Sequence, residues 1–314
     1  MVTLLYKLIQ GALLASLIFV VSCSDEEKVQ AKQSSTAQIE LLKSNAYISA
    51  ANVSSGEFVG ALADHREKVS PALKTGKPLE NYSVVPPHRV TAIRTRLDEA
   101  VKREGSIPEL DGAAATYLAA VNAFEVVNNS LANYADSKGY LADGGKKARD
   151  EDAGYLEALS KVAAAETSFN EAITLRDERL VQEAFDKAPE DSVERYRAGI
   201  ILHAKGAMKT VTGVFTEPEN IENRNQFKGS LTQMATMVEG WDRKIRAEKP
   251  AGCSSLQNSF NGFIASGRQA LQSAEQGRFS REGGAPPIII QQEFGIVQMN
   301  FAQLINSLNM PHAC

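Results

Sequence analysis

The sequence predicts an all-α protein, an antiparallel bundle of about seven to eight helices, with an elongated arrangement left open. Three observations predict it. Apolar residues recur at alternating steps of three and four along most of the chain. Strand-like alternation is sustained nowhere. Pro and Gly punctuate the periodic stretches and leave only short links, which make successive helices antiparallel neighbours.

The elements follow in order. The first helix begins near Thr36 and is ended by Pro71, Gly76 and Pro78. Pro86-Pro87 opens the second, since proline suits a first helical turn. Gly105 and Pro108 divide it from the third, whose stripe is Leu110, Ala114, Tyr117, Val121, Phe124, Asn128 and Leu131, with Asn128 its one polar member. Residues 134–145 form a turn region. A long pattern covers 146–188 and is stopped by Pro189, and Asp191-Ser192 starts the next helix, which ends near Phe215 before Pro218. Two more follow, split by Gly283-Gly284-Ala285-Pro286-Pro287. Their stripes are Phe227, Leu231, Met234, Val238, Trp241, Ile245 and Ile290, Phe294, Val297, Phe301, Leu304, Leu308. Stripes of this kind bury against neighbouring helices rather than form a cofactor box.

The N-terminus reads as an address. Lys7 precedes a mainly apolar stretch, residues 8–21, too short for a spanning helix of about 20 residues. It ends in Val20-Val21-Ser22-Cys23, which resembles the bacterial lipobox, where a lipid is attached to the cysteine thiol and the chain is cut just before it. An ordinary signal or short anchor with a chance cysteine is the alternative. The expected division is a signal peptide over 1–22, lipidated Cys23 with a flexible polar tether over 23–36, and a single helical domain over 37–314. The tether has little to bury, and its 13 residues after Cys23 would span about 20 Å. Ser24 in place of Asp favours the outer membrane over the inner, facing the periplasm.

Cys253 and Cys314 are the only other cysteines. An exported compartment is oxidising, so a disulfide is the economical reading and two free thiols the alternative. The bridge would close a loop of about 60 residues and stabilise by roughly 4 kcal/mol on the entropy model.

Two stretches carry a family resemblance. Lys43-Ser-Asn-Ala-Tyr-Ile-Ser-Ala-Ala-Asn52 and Tyr134-Ala-Asp-Ser-Lys-Gly-Tyr-Leu-Ala-Asp-Gly-Gly-Lys-Lys147, with the lipobox, resemble the YiiG-like family of bacterial lipoproteins, whose function is unknown. Ala51 and Asn133 stand where that family has a second tyrosine. The resemblance implies an all-helical exported domain and supplies no catalytic residue. Read physically, Asp143-Gly144-Gly145 is turn chemistry with Asp143 able to cap the next helix, and Tyr134 and Tyr140 can bury their rings. A functional reading makes Tyr134, Asp136, Tyr140 and Asp143 the rim of a ligand or partner site, because loops on rigid scaffolds often carry function.

Charge and motifs exclude several classes. A net charge of −4, or −5 without the leader and its Lys7, offers no footprint for nucleic acid, and 7% aromatics supply no stacking platform. His65, His88, His203 and His312 begin no zinc motif, no phosphate loop or nucleophile elbow occurs, and no metal or cofactor is expected. His203 sits beside an apolar face, and Asp150, Glu151 and Asp152 read as solvated acids near a helix start. Arg89, Arg94, Arg96, Lys102 and Arg103, interleaved with Asp98, Glu99 and Glu104, read as a salt-bridged face. The expectation is an envelope lipoprotein without catalytic residues, held to the membrane by its lipid and binding an envelope protein or polymer. A small-molecule or metal carrier with a pocket between helices is the alternative. Purified chain should run faster on a non-reducing gel than on a reducing one. Identical mobility, with Cys253 and Cys314 both alkylated, would refute the bridge.

Overall fold

The computed structural model describes residues 29–280 and 282–310, with side chains from Thr36 onward. The leader, Cys23, the first part of the tether and Cys314 lie outside the described residues. Among those described, the chain is helical without a strand. Helix α1 (Val29–Ser54) begins inside the stretch expected to be tether, so residues 29–36 are helix. The described residues form two compact units, one up to 176 and one from 177 on.

In the first unit α1 packs on α4 (Pro87–Lys102), and α4 on α5 (Pro108–Asp136). Between α1 and α4 the chain forms α2 (Glu57–Asp64), a π turn (His65–Val69) and α3 (Ser70–Lys74). The first helix was expected to run unbroken to Pro71. It breaks earlier, at Ser55 and Gly56, both left-handed, and then carries on through Pro71. Proline cannot donate to the ladder and its ring crowds the carbonyl four residues back, so the turn before it widens and the Ser70 N–H reaches His65 O. The stripe predicted on α5 is fully buried. Short α6 (Gly139–Ala142) leads into α7 (Lys146–Lys187), which buries Tyr155, Leu159, Val162, Phe169 and Ile173 in this unit. Rings join the elements. Phe169 meets Tyr47 of α1 at 6.0 Å and Tyr117 of α5 at 5.6 Å, and Phe58 of α2 meets Phe124 at 5.4 Å. Each such pair is worth about 0.5–1.5 kcal/mol beyond its burial.

One buried acid organises this core. Helix α2 starts after Gly56, which has no side chain to cap it. Glu166 of α7 takes over. Its Oε2 accepts from Phe58 N and Val59 N, both at 3.0 Å, and its Oε1 accepts from Tyr117 Oη at 3.4 Å. Those amide groups are otherwise orphans of a first turn. Glu166 is fully buried, and burial pushes its carboxyl up to about 7 even though the backbone N–H groups pull the other way.

The second unit is built by α8 (Val193–Thr216), α9 (Ile221–Glu248), α10 (Ser254–Glu275) and α11 (Pro287–Asn309), with the last turns of α7. Helix α8 lies along α9, α9 on α10, and α10 on α11. Ser192 and Asn220 cap α8 and α9 by accepting from Arg195 N and Asn223 N. Two helices follow Pro218 before the Gly283-Gly284 break where one was expected, because Pro250 and left-handed Gly252 interrupt the pattern. The close approach of α8 to α9 requires Gly240, since a Cβ there would lie 2.2 Å from the Tyr196 ring. Trp241 packs edge-on to Phe260 at 5.1 Å, and Phe215 stacks on Phe279 at 4.5 Å. Cys253, the residue before α10, is buried.

A carboxyl whose folded value lies above its ordinary 4.5 binds its proton more tightly in the native state, so stability is full below 4.5 and is lost as pH rises through 7. Glu166→Gln keeps the acceptor for the α2 amides without the charge. It should match the parent at pH 4.5 and exceed it at pH 8 by on the order of 2–3 kcal/mol in urea unfolding. A variant equally pH-dependent would show that Glu166 is not the group.

Candidate functional site: a tyrosine cluster beneath an extended strap

Residues 75–86, between α3 and α4, form neither helix nor strand. Within them Leu79, Tyr82 and Val85 are buried and most of the rest exposed. That period of three is the repeat of an extended polyproline-like chain, and Pro86, at φ −58° and ψ 127°, ends the segment in that conformation.

The strap is held by side chains from two helices. Val85 N–H donates to Tyr155 Oη of α7 at 3.2 Å, and Val85 O accepts from Asn128 Nδ2 of α5 at 2.8 Å. Arg149 of α7 donates to Lys77 O at 3.3 Å and to Gly144 O at 2.8 Å, tying the strap to the turn before α7. Asn128, the polar member of its stripe, thus replaces the ladder that this backbone lacks.

The Tyr82 ring lies 5.9 Å from Tyr134 and 6.4 Å from Tyr140, both edge-on, and Tyr134 and Tyr140 are 6.4 Å apart. Three of the four residues proposed from sequence as a rim meet here. Tyr134 and Tyr140 are buried, and Tyr134 Oη donates to Asp143 Oδ1 at 2.7 Å. Asp143 also accepts from the N–H groups of Gly145, Lys146 and Lys147, so it caps α7. The Tyr134 bond and those N–H groups pull its carboxyl down to about 2, while burial and the carboxylate push the Tyr134 hydroxyl up to about 12. Asp136 is exposed in the last turn of α5, apart from these bonds. Lys147 Nζ lies 5.7 Å from the Tyr134 ring centroid and Leu141 is exposed beside Tyr140.

Beneath the strap the structure adds groups that sequence reasoning missed. His65, in the π turn, is buried with Nε2 2.8 Å from Asp152 Oδ1, and its ring is 5.2 Å from Tyr155. Asp150 and Glu151 do pair outward with Lys146 and Ser130. Asp152, read with them as solvated, points to His65. A signal existed, because Tyr155, Leu159, Val162, Glu166, Phe169 and Ile173 are buried at alternating steps of four and three, so Glu166 stands in α7 where Asn128 stands in α5. The first resemblance motif also lands on structure. Lys43 and Tyr47 converge on Asp111 at 3.1 and 2.6 Å, with Lys43 donating to Gly105 O as well. On α4, Arg89, Arg94, Arg96 and Lys102 are paired with acids. His203 is half-buried, and burial lowers its pKa. Among the described residues no group of three His, Cys, Asp or Glu could hold a metal ion, and no helix is long and apolar enough to cross a membrane.

Fold and site together define an all-helical protein whose acids and tyrosines cap helices and clamp a loop. The chain belongs to the family described as "Protein of unknown function (DUF3829)", which it matches over residues 38–310. No curated protein and no solved structure matches it.

The turn that closes the cluster rests on Gly145. Its φ is +85°, and a Cβ there would lie 2.5 Å from Leu79 of the strap. Gly145→Ala should therefore lose about 1–2 kcal/mol for the left-handed backbone, and more for the displaced leucine, read as a lower urea midpoint. An unchanged midpoint would show that the strap does not press on this turn.

Proposed function

We propose that the chain is an envelope-anchored lipoprotein, a non-enzymatic binding or scaffolding module of the YiiG-like kind facing the periplasm from the outer membrane. The observation that carries the non-enzymatic part is the employment of its polar side chains in structural bonds, Glu166 from within the core and the others from its edge. Glu166 and Asp143 cap helices, Asp111 gathers Lys43, Tyr47 and Ile107 N, and Arg149 holds two loop carbonyls. Groups arranged for structure favour a rigid display surface over a nucleophile with its base. The anchor rests on the apolar leader ending at Cys23, with two or more acyl chains making attachment stable.

The partner is an envelope protein or polymer, and the surface put forward is the turn carrying Asp136, Lys138, Leu141 and Lys147, exposed or half-buried over the tyrosine rings. Cys23→Ala expressed in a two-membrane bacterium should accumulate as an unprocessed or soluble form in fractionation. Normal recovery with the outer membrane would refute lipidation. Photo-crosslinkers placed at Asp136 and Leu141 should trap one envelope component above background, and failure at both would remove this surface.

A further inference from the structure

We infer that the core of the first unit holds a buried hydration site behind the strap, where one water molecule joins Tyr82 Oη, Tyr155 Oη and Asn128 Oδ1. Neither the membrane anchor nor the partner surface depends on it. Three inward groups have hydrogen-bonding capacity left over. Asn128 is fully buried, and its orientation is set because Nδ2 must face the Val85 carbonyl. Its Oδ1 is thereby turned away and has no partner. Tyr82 is 5% exposed, and its hydroxyl has no partner either. Tyr155 is 1% exposed; its oxygen accepts from Val85 N, and its proton finds no acceptor among the described residues.

These groups belong to one place. Asn128 and Tyr155 bond to the carbonyl and the N–H of the same residue, Val85, and Tyr82 is the next buried residue along the strap. The Tyr82 ring is held edge-on against Tyr134, which lies in α5 as Asn128 does. The needs are complementary to water. Two phenol protons seek acceptors and one amide oxygen seeks a donor, and a water molecule offers two lone pairs and two protons. Buried waters typically make about three such bonds.

Charged guests fit poorly. Asp152 and Glu151 lie within electrostatic reach and, with Asn128 Oδ1, would repel an anion. Burial holds both tyrosine hydroxyls above their usual range, Tyr155 up to about 12, so no phenolate is ready for a cation. A single small neutral donor–acceptor remains. It would let an extended backbone segment lie against a helical core without leaving polar atoms unpaired.

Tyr82→Phe distinguishes a filled site from an empty one by the sign of its effect. If water bridges the hydroxyl, its deletion removes a bond and should lower the melting temperature by about 2–4 °C. If the hydroxyl is truly unpaired, deletion should leave the melting temperature unchanged or raise it, which would overturn the site. A crystal structure of the same chain supplies a second reading. One oxygen-sized peak within about 3.2 Å of Tyr82 Oη and Asn128 Oδ1 supports the assignment. No peak, or density for a larger molecule, defeats it.

Discussion

Backbone that is neither helix nor strand carries N–H and C=O groups with no ladder to join, and burying them unpaired would cost more than the contact returns. Residues 75–86 live under that constraint. The solution is to bury every third side chain and meet the backbone with side chains from helices on both sides, Asn128 from α5 and Tyr155 and Arg149 from α7. Much of the first unit depends on this arrangement. It calls for a polar residue in the middle of an apolar stripe, a ring of tyrosines able to pack by their faces and bond by their tips, and a turn before α7 tight enough to receive Leu79.

Two carboxylates show how one bonding pattern yields opposite acidities. Asp143 and Glu166 each accept several backbone N–H groups at a helix N-terminus, and each accepts a tyrosine hydroxyl. Asp143 stays at the surface, keeps its hydration, and is pulled down to about 2. Glu166 loses its water, and burial outweighs the same donors to bring it up to about 7. The difference lies in where the helix start is placed. Asp143 caps its own helix from the preceding turn, whereas Glu166 caps a distant one from inside the core.

Helices were legible in the sequence because their apolar period is set locally, and the three stripes read from it are buried, with Ile245 only partly so. Boundaries set by tertiary demand were less so. The π turn before Pro71 and the left-handed pair Ser55 and Gly56 sit where a continuous helix was expected. At the site, turn chemistry revealed Asp143 and Gly145, whereas Asn128 stood out in the sequence as the polar member of a stripe with no role attached. The His65–Asp152 pair joins residues 87 apart in sequence, and no local pattern marks such a pair. Tyr82 was hidden for a different reason, since a buried period of three belongs to neither helix nor strand.

The placement of the aromatic residues has an optical consequence. The single tryptophan, Trp241, lies buried against Phe260 in the second unit, whereas of the eight tyrosines Tyr47, Tyr82, Tyr117, Tyr134, Tyr140 and Tyr155 lie in the first, with Tyr196 beside Gly240 and Tyr6 in the leader, outside the described residues. Excitation selective for indole therefore watches one half of the molecule, and tyrosine absorbance watches mostly the other. The chain carries its own pair of colour-separated reporters, and comparing their transitions asks whether its halves melt as one cooperative body or in turn, with no label attached.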